Sequence, residues 1–285
     1  MMISGDDTER TTWLGAAFRM MTWPVVIGIG GYGAVVASMF AMQRQLMYVP
    51  HPLMTSPQNA GVPEMREIRL RTDDNLDLVN WYRPAEDGKP TVLYCHGNAG
   101  NVSTRAFKAR PFLDQGFGVI LVGYRGYGTN PGKPSEEGLN TDAKTALRYL
   151  QQQGVPLSRT VFYGESLGSG VAVHLASEHN PAALILEAAF TSTVDVASNT
   201  YWFVPVTHLM LDRFESVARI RNVAAPIFLL HGETDAVVPV ELGRRLFDAA
   251  PEPKEAAYFP RAGHTDLYQH GAIPKILDFI ARHVP

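Results

Sequence analysis

Thr160-Val161-Phe162-Tyr163-Gly164-Glu165-Ser166-Leu167-Gly168-Ser169-Gly170-Val171-Ala172 is the stretch whose reading decides the fold. The run 160–163 is short, β-branched and aromatic, the composition of a strand buried on both faces. From Leu167 onward the residues suit a helix. Between the two stands G-x-S-x-G, and strand–turn–helix is the setting a nucleophile elbow requires. The reason is steric. A serine on a sharp, strained turn needs glycine two places away on either side, or a side chain meets neighbouring backbone. The helix that follows aims its N-terminus at the serine and favours negative charge there. Ser166 is therefore the candidate nucleophile.

Outward from this stretch the same alternation repeats. Thr91–Cys95, Val119–Val122, Ala183–Leu186 and Ile227–Leu230 are further short apolar runs bounded by Gly, Pro or charge. Helical stretches separate them at Glu136–Gln153, Leu167–Glu178, Leu242–Ala249 and Ile273–Arg282. In the first of these, Leu139, Ala143, Ala146, Leu147 and Leu150 share a face. Strand and helix in turn predict an α/β fold with a mostly parallel sheet covered on both sides. Ile68–Leu70 and Leu76–Trp81 read as an antiparallel hairpin at one edge. The domain spans 65–285, with 44–64, rich in proline, as a lead-in.

A serine hydroxyl needs a base, and the elbow order is Ser, then acid, then His. Asp235 lies just past the run 227–230, in His231-Gly232-Glu233-Thr234-Asp235. His264 lies just past the run 256–259, in Ala262-Gly263-His264-Thr265-Asp266. All three candidates follow the carboxyl ends of strands, where ligands gather in open α/β sheets. His264 would take the serine proton, and Asp235 would hold the imidazole tautomer. Glu233 and Asp266 are the rival acids. Glu233 follows too soon on the strand, and Asp266 stands two residues from His264.

An oxyanion needs two aimed N–H donors. The backbone N–H of Leu167 is one candidate. The other is the main-chain N–H of Asn98, in the glycine-bearing loop His96-Gly97-Asn98-Ala99-Gly100-Asn101. Tyr124, Phe190 and Trp202 are candidate substrate contacts. Arg125, in Gly123-Tyr124-Arg125-Gly126-Tyr127-Gly128, is expected to pair a carboxylate rather than touch substrate. No spacing of His, Cys or carboxylates suggests a metal site, and no cofactor is expected.

Composition sets outer limits. The chain has 285 residues, 46% hydrophobic and 19% charged, with a net charge of −3. That excludes disordered and coiled-coil classes and lacks the basic footprint of a nucleic-acid binder. A single cysteine, Cys95, excludes an internal disulfide and a cysteine zinc site.

One stretch is uneven. Residues 20–43 carry no charge, and 16 of the 23 positions from Met20 to Met42 are apolar. At about 1.5 Å per residue such a helix covers the roughly 30 Å hydrocarbon core. After a polar segment, 1–19, it reads as a transmembrane signal anchor, so membrane lipid is an expected partner. A cleaved signal peptide and a buried soluble helix are the rivals. Arg10 and Arg19 before it, against Arg44 soon after, favour an inside N-terminus and a single-pass protein with its catalytic domain on the exoplasmic or periplasmic side. Gly28-Ile29-Gly30-Gly31-Tyr32-Gly33 matches G-x-G-x-x-G, but no strand precedes it, so the dinucleotide reading is rejected.

Taken together, HGNAGN, GYRGYG, GESLG, HGETDAVVP and AGHTD resemble the α/β-hydrolase superfamily, and more narrowly its membrane-anchored abhydrolase-domain proteins, which include protein depalmitoylases. The lead-in Gln45-Leu46-Met47-Tyr48-Val49-Pro50 is similar to that group as well. The resemblance runs from about residue 45 to the C-terminus. It implies an eight-stranded, mostly parallel sheet and a triad of Ser166, Asp235 and His264. The depalmitoylases carry an N-terminal cysteine cluster for their own lipidation. This chain has no cysteine before Cys95, which puts that activity in doubt. Residues 190–223 form an apolar, aromatic insertion between two strand ends. It reads either as a small cap for an acyl chain or as a helical connection packed on the sheet.

The expected function is hydrolysis of a carboxylic ester or thioester, small or lipid-borne, through an acyl-enzyme. The alternatives are a serine peptidase or amidase on the same fold, and a non-catalytic membrane scaffold. A protein partner is not readable from the sequence.

Overall fold

The computed structural model describes residues 7–285, with side chains from residue 25. The first six residues of the polar segment 1–19 lie outside the described residues. The chain divides into two compact units, 1–43 and 44–285.

Helix α1, Asp7–Met47, begins within the polar segment and continues past residue 43. Its part Val25–Met47 is long and apolar enough to cross a membrane, and Val25, Ile27 and Ile29 are exposed. A helix that presents apolar side chains to solvent has no core of its own to join. Pro24 and the glycines at 28, 30, 31 and 33 stay within regular helix.

The second unit is built on one sheet. Its strands are β2 (Arg66–Arg71), β3 (Asp77–Arg83), β4 (Thr91–Cys95), β6 (Gly118–Leu121), β7 (Thr160–Glu165), β8 (Ala183–Glu187), β9 (Ile227–Gly232) and β10 (Lys254–Phe259). The order across this eight-stranded sheet is β10-β9-β8-β7-β4-β6-β3-β2. β2–β3 and β3–β6 pair antiparallel, and the remaining pairs are parallel. The hairpin, the parallel centre and the strand count agree with the sequence reading. A second, two-stranded sheet pairs β1 (Val49–Pro50) with β5 (Ala99–Gly100) in parallel. No periodicity announced it, because two residues are too few to show one.

Alternation along the central strands sends successive side chains to opposite faces. Leu93, Phe162, Leu184 and Leu229 join one core layer, with α3 (Glu136–Gln152), α4 (Leu167–Glu178) and α8 (Val240–Ala249). Val92, Val161, Ile185 and Leu230 join the other, with α2 (Ala106–Leu113) and α9 (Ala272–His283). Because both faces are covered, each strand reads as an unbroken apolar run. The stretch 190–223 folds as α5 (Thr193–Thr200), α6 (Val206–Leu209) and α7 (Ser216–Arg219), followed by a short 3-10 turn.

Candidate active site

β7 ends at Glu165 and α4 begins at Leu167, so Ser166 alone makes the turn. It does so at φ 50° and ψ −118°, a conformation strained for any residue with a Cβ. A Cβ on Gly164 would stand 2.5 Å from the Gly168 carbonyl oxygen, and one on Gly168 would stand 2.0 Å from that of Cys95. Only glycine fits at either place, as the spacing required. The Ser166 amide donates to the Glu187 carbonyl at 2.8 Å, which fastens the turn to the neighbouring strand.

His264 follows β10 and Asp235 follows β9. His264 Nδ1 lies 2.7 Å from Asp235 Oδ2, and Nε2 lies 3.0 Å from Ser166 Oγ. A carboxylate only accepts, so Nδ1 carries the proton and Nε2 is left to accept the serine hydroxyl. Asp235 Oδ1 accepts the N–H groups of Val237 and Val238, each at 2.8 Å. Burial by itself would raise the Asp235 carboxyl. Hydrogen bonds from His231 and His264 outweigh it and hold the group well below the usual carboxylate range.

The rival acids are engaged elsewhere. Glu233 accepts from Arg244 at 2.6 Å, and Asp266 accepts the Gly263 N–H at 2.7 Å. His231 is wholly buried, and its Nε2–H is shared between the Val238 carbonyl at 2.9 Å and Asp235 Oδ2 at 3.3 Å. Burial pushes His96 down to about 4. Its Nδ1 donates to the Gly97 carbonyl at 2.7 Å, so it is a neutral, structural ring. Arg125 pairs with Asp142 at 2.7 Å and Asp74 at 2.6 Å, beneath the loop that carries it.

The loop after β4 lies against Ser166, for the position of a Gly97 Cβ falls 3.5 Å from Ser166 Cβ. Among the described residues, the N–H groups of Asn98 and Leu167 have no acceptor. Leu167 owes this to its place as first residue of α4, where no carbonyl lies a turn behind. Tyr124, Phe190 and Trp202 are not brought together. Tyr124 is buried, its ring 4.3 Å from that of His96. Phe190 is buried in the core layer that α4 covers. Trp202 is 82% exposed on the insertion, its ring 5.8 Å from that of Phe203. A loop position told nothing of which way each ring packs.

Beneath the elbow lies a charged cluster that sequence reasoning missed. Glu165, the variable residue of the motif, accepts from Tyr94 Oη at 2.6 Å and Arg105 Nε at 2.9 Å. Burial would raise the Glu165 carboxyl, but Arg105 and Lys108 prevail and lower it. Lys108 is completely buried, with Nζ 2.6 Å from Glu187 Oε1 and 3.9 Å from the centre of the Tyr268 ring. Tyr163 Oη donates to the other Glu187 oxygen at 2.5 Å. Glutamates closing two apolar runs, Glu165 and Glu187, were the available signal. Lys108 gave none, being one of two cations on α2.

Residues 90–219 match a family model described as the alpha/beta hydrolase fold. The chain is 40% identical over 247 residues to an uncharacterised protein of Mycobacterium tuberculosis, covering 86% of this chain and 85% of that one. It is 32% identical over 288 residues to protein bem46 of Schizosaccharomyces pombe, covering 94% and 95%. It is also 32% identical over 276 residues to the lysophosphatidylserine lipase ABHD12 of Danio rerio, covering 79% and 72%. Among solved structures, a Pyrococcus furiosus esterase superposes with a TM-score of 0.67 over 84% of this chain and 100% of its own, at 19% identity.

Proposed function

Because this chain belongs to the α/β-hydrolase family, we propose that it is a membrane-anchored serine hydrolase that cleaves carboxylic esters, or thioesters, through an acyl-enzyme. The carrying observation is the unbroken hydrogen-bonded line from Ser166 through His264 to Asp235.

In this reading Ser166 Oγ attacks the acyl carbon while its proton passes to His264 Nε2. The negative charge on the former carbonyl oxygen is met by the N–H groups of Leu167 and Asn98, each such donor worth roughly 10²–10³ in rate. The intermediate collapses, and the leaving alkoxide or thiolate takes the proton from His264. Water then attacks the acyl-enzyme with His264 again as base, releasing the acid and restoring the serine. Asp235 stays ionised throughout and stabilises the imidazolium.

A lipid-borne acyl ester suits the apolar helix, which supplies the anchor, and a relative named for a lysophospholipid. The arginines at 10 and 19, ahead of the apolar helix, support an inside N-terminus and a second unit on the exoplasmic or periplasmic side. The test is labelling of the full chain by a fluorophosphonate, followed by turnover of nitrophenyl esters from acetate to palmitate. Wild type labels, Ser166→Ala does not, and longer acyl chains are preferred. Labelling that survives Ser166→Ala overturns the reading. Turnover of aminoacyl amides but not of esters would replace it with a peptidase.

A further inference from the structure

The segment that leaves α1 does not merely connect it to the sheet. The Asn98 side chain donates from Nδ2 to the carbonyl of Met47, the last residue of α1, at 3.0 Å. The Val49 N–H donates to the Asn98 carbonyl at 3.0 Å, and the His51 N–H to the Gly100 carbonyl at 2.9 Å. Asn101 donates from Nδ2 to the carbonyls of His51 and Leu53, at 2.9 and 2.8 Å. The short parallel pairing of Val49–Pro50 with Ala99–Gly100 lies among these bonds. Asn98, Gly100 and Asn101 are thus each bound to 47–53 on one side. On the other, Gly97 abuts Ser166.

We propose that Met47–Leu53 is a positioning element of the hydrolase centre, which holds the loop 97–101 so that the Asn98 N–H is aimed at the oxyanion. The inference rests on the serine-hydrolase reading above. Its physical basis is that an oxyanion donor works only when it is preorganised within a few tenths of an ångström. The loop has glycines at 97 and 100, with Gly100 at φ 86°, and so has little stiffness of its own. The bonds to 47–53 supply it, alongside one from Tyr127 Oη to the Asn98 carbonyl at 2.8 Å. The same segment begins where the apolar helix ends, so anchoring and transition-state stabilisation share one piece of chain. Its action is through the loop.

The experiment uses the full chain in lipid nanodiscs with two independent variants. Asn101→Asp keeps the oxygen that caps Ser103 and Thr104 and removes the donor to His51 and Leu53. Val49→Pro removes the N–H that reaches Asn98 and leaves the loop sequence intact. Three readouts are taken: kcat and KM for a nitrophenyl ester, calorimetric affinity for an alkylboronic acid that mimics the tetrahedral intermediate, and Tm. The expected result is a kcat lower by about 10- to 100-fold with KM within about twofold, and boronate affinity weakened by the factor lost from kcat/KM. A lower Tm with wild-type kcat and boronate affinity in the folded protein assigns 47–53 a structural role only and overturns the proposal. A lower kcat with unchanged boronate affinity also overturns it. Wild type that neither labels nor turns over overturns the serine-hydrolase reading instead, and is a separate outcome.

Discussion

The amide of Ser166 donates to the backbone carbonyl of Glu187 at 2.8 Å, while the Glu187 carboxylate is held by Lys108 at 2.6 Å in the protein interior. The strained turn is therefore tied to a residue that is itself fixed by a buried ion pair.

Breaking that pair should be severe. Lys108→Met leaves a carboxylate buried with only Tyr163 as donor among the described residues, and a loss on the order of 3–5 kcal/mol is expected. The double variant Lys108→Met, Glu187→Gln should recover a substantial part, since no unpaired charge then remains. Urea unfolding of the single and double variants measures both, and equal stabilities would contradict the prediction.

Strain at Ser166 makes an opposite prediction for stability. Ser166→Gly should raise Tm by a few degrees, because glycine relieves a φ of 50° that a Cβ makes costly by about 1 kcal/mol or more. Hydrolysis should fall to background. A Tm at or below wild type would show that the turn is not strained.

Asp235→Asn should leave the geometry and lower kcat on the order of 10⁴-fold, because an amide facing Nδ1 favours the wrong imidazole tautomer. The sign for stability follows from the depressed carboxyl. Its contribution is fully present above the unfolded carboxylate range near 4 and is lost as pH falls through the lower native value. The variant should therefore lose part of the acid sensitivity of wild type between about pH 4 and 2, read from Tm against pH.

His96 acts at higher pH. Burial, with a smaller opposing contribution from the Gly97 carbonyl, holds its ring at about 4 in the native state. Above the unfolded value near 6.5 neither state binds the proton, and stability is whole. As pH falls from there toward about 4, the unfolded chain takes up a proton that the native ring refuses, and stability drops. His96→Gln should flatten this slope by up to one proton. His174 is also depressed to about 4, by burial and then by Arg219, so some slope should persist. Denaturant midpoints from pH 7 to 4.5 test it, and an unchanged slope in the variant would refute the assignment.

The architecture was legible because central strands buried on both faces must be apolar throughout, and because G-x-S-x-G has a steric reason that survives any context. Thr91–Cys95 is a strand in both readings, and the helix after Ser166 has the expected bounds, Leu167–Glu178. Ser166, Asp235 and His264 were each marked by a strand end. Tyr124 and Trp202 were not placed, since aromatic residues in loops serve equally inside and outside. The bond from Asn98 to Met47 joins residues 51 positions apart and leaves no pattern in either segment.

The sequence by itself determined the order of strands and helices, the apolar span at 20–43 and the identity of the three residues now aligned at the strand ends. Those properties are local, written in periodicity, glycine spacing and position after a strand. Only the tertiary structure decided what surrounds them: that Glu165 and Glu187 are each bound by a cation from the α2 region, and that the segment leaving the helix is hydrogen-bonded to the loop beside Ser166. A buried charge finds its partner through packing in three dimensions, and backbone hydrogen bonds carry no side-chain signature. Neither can be read until the chain has folded.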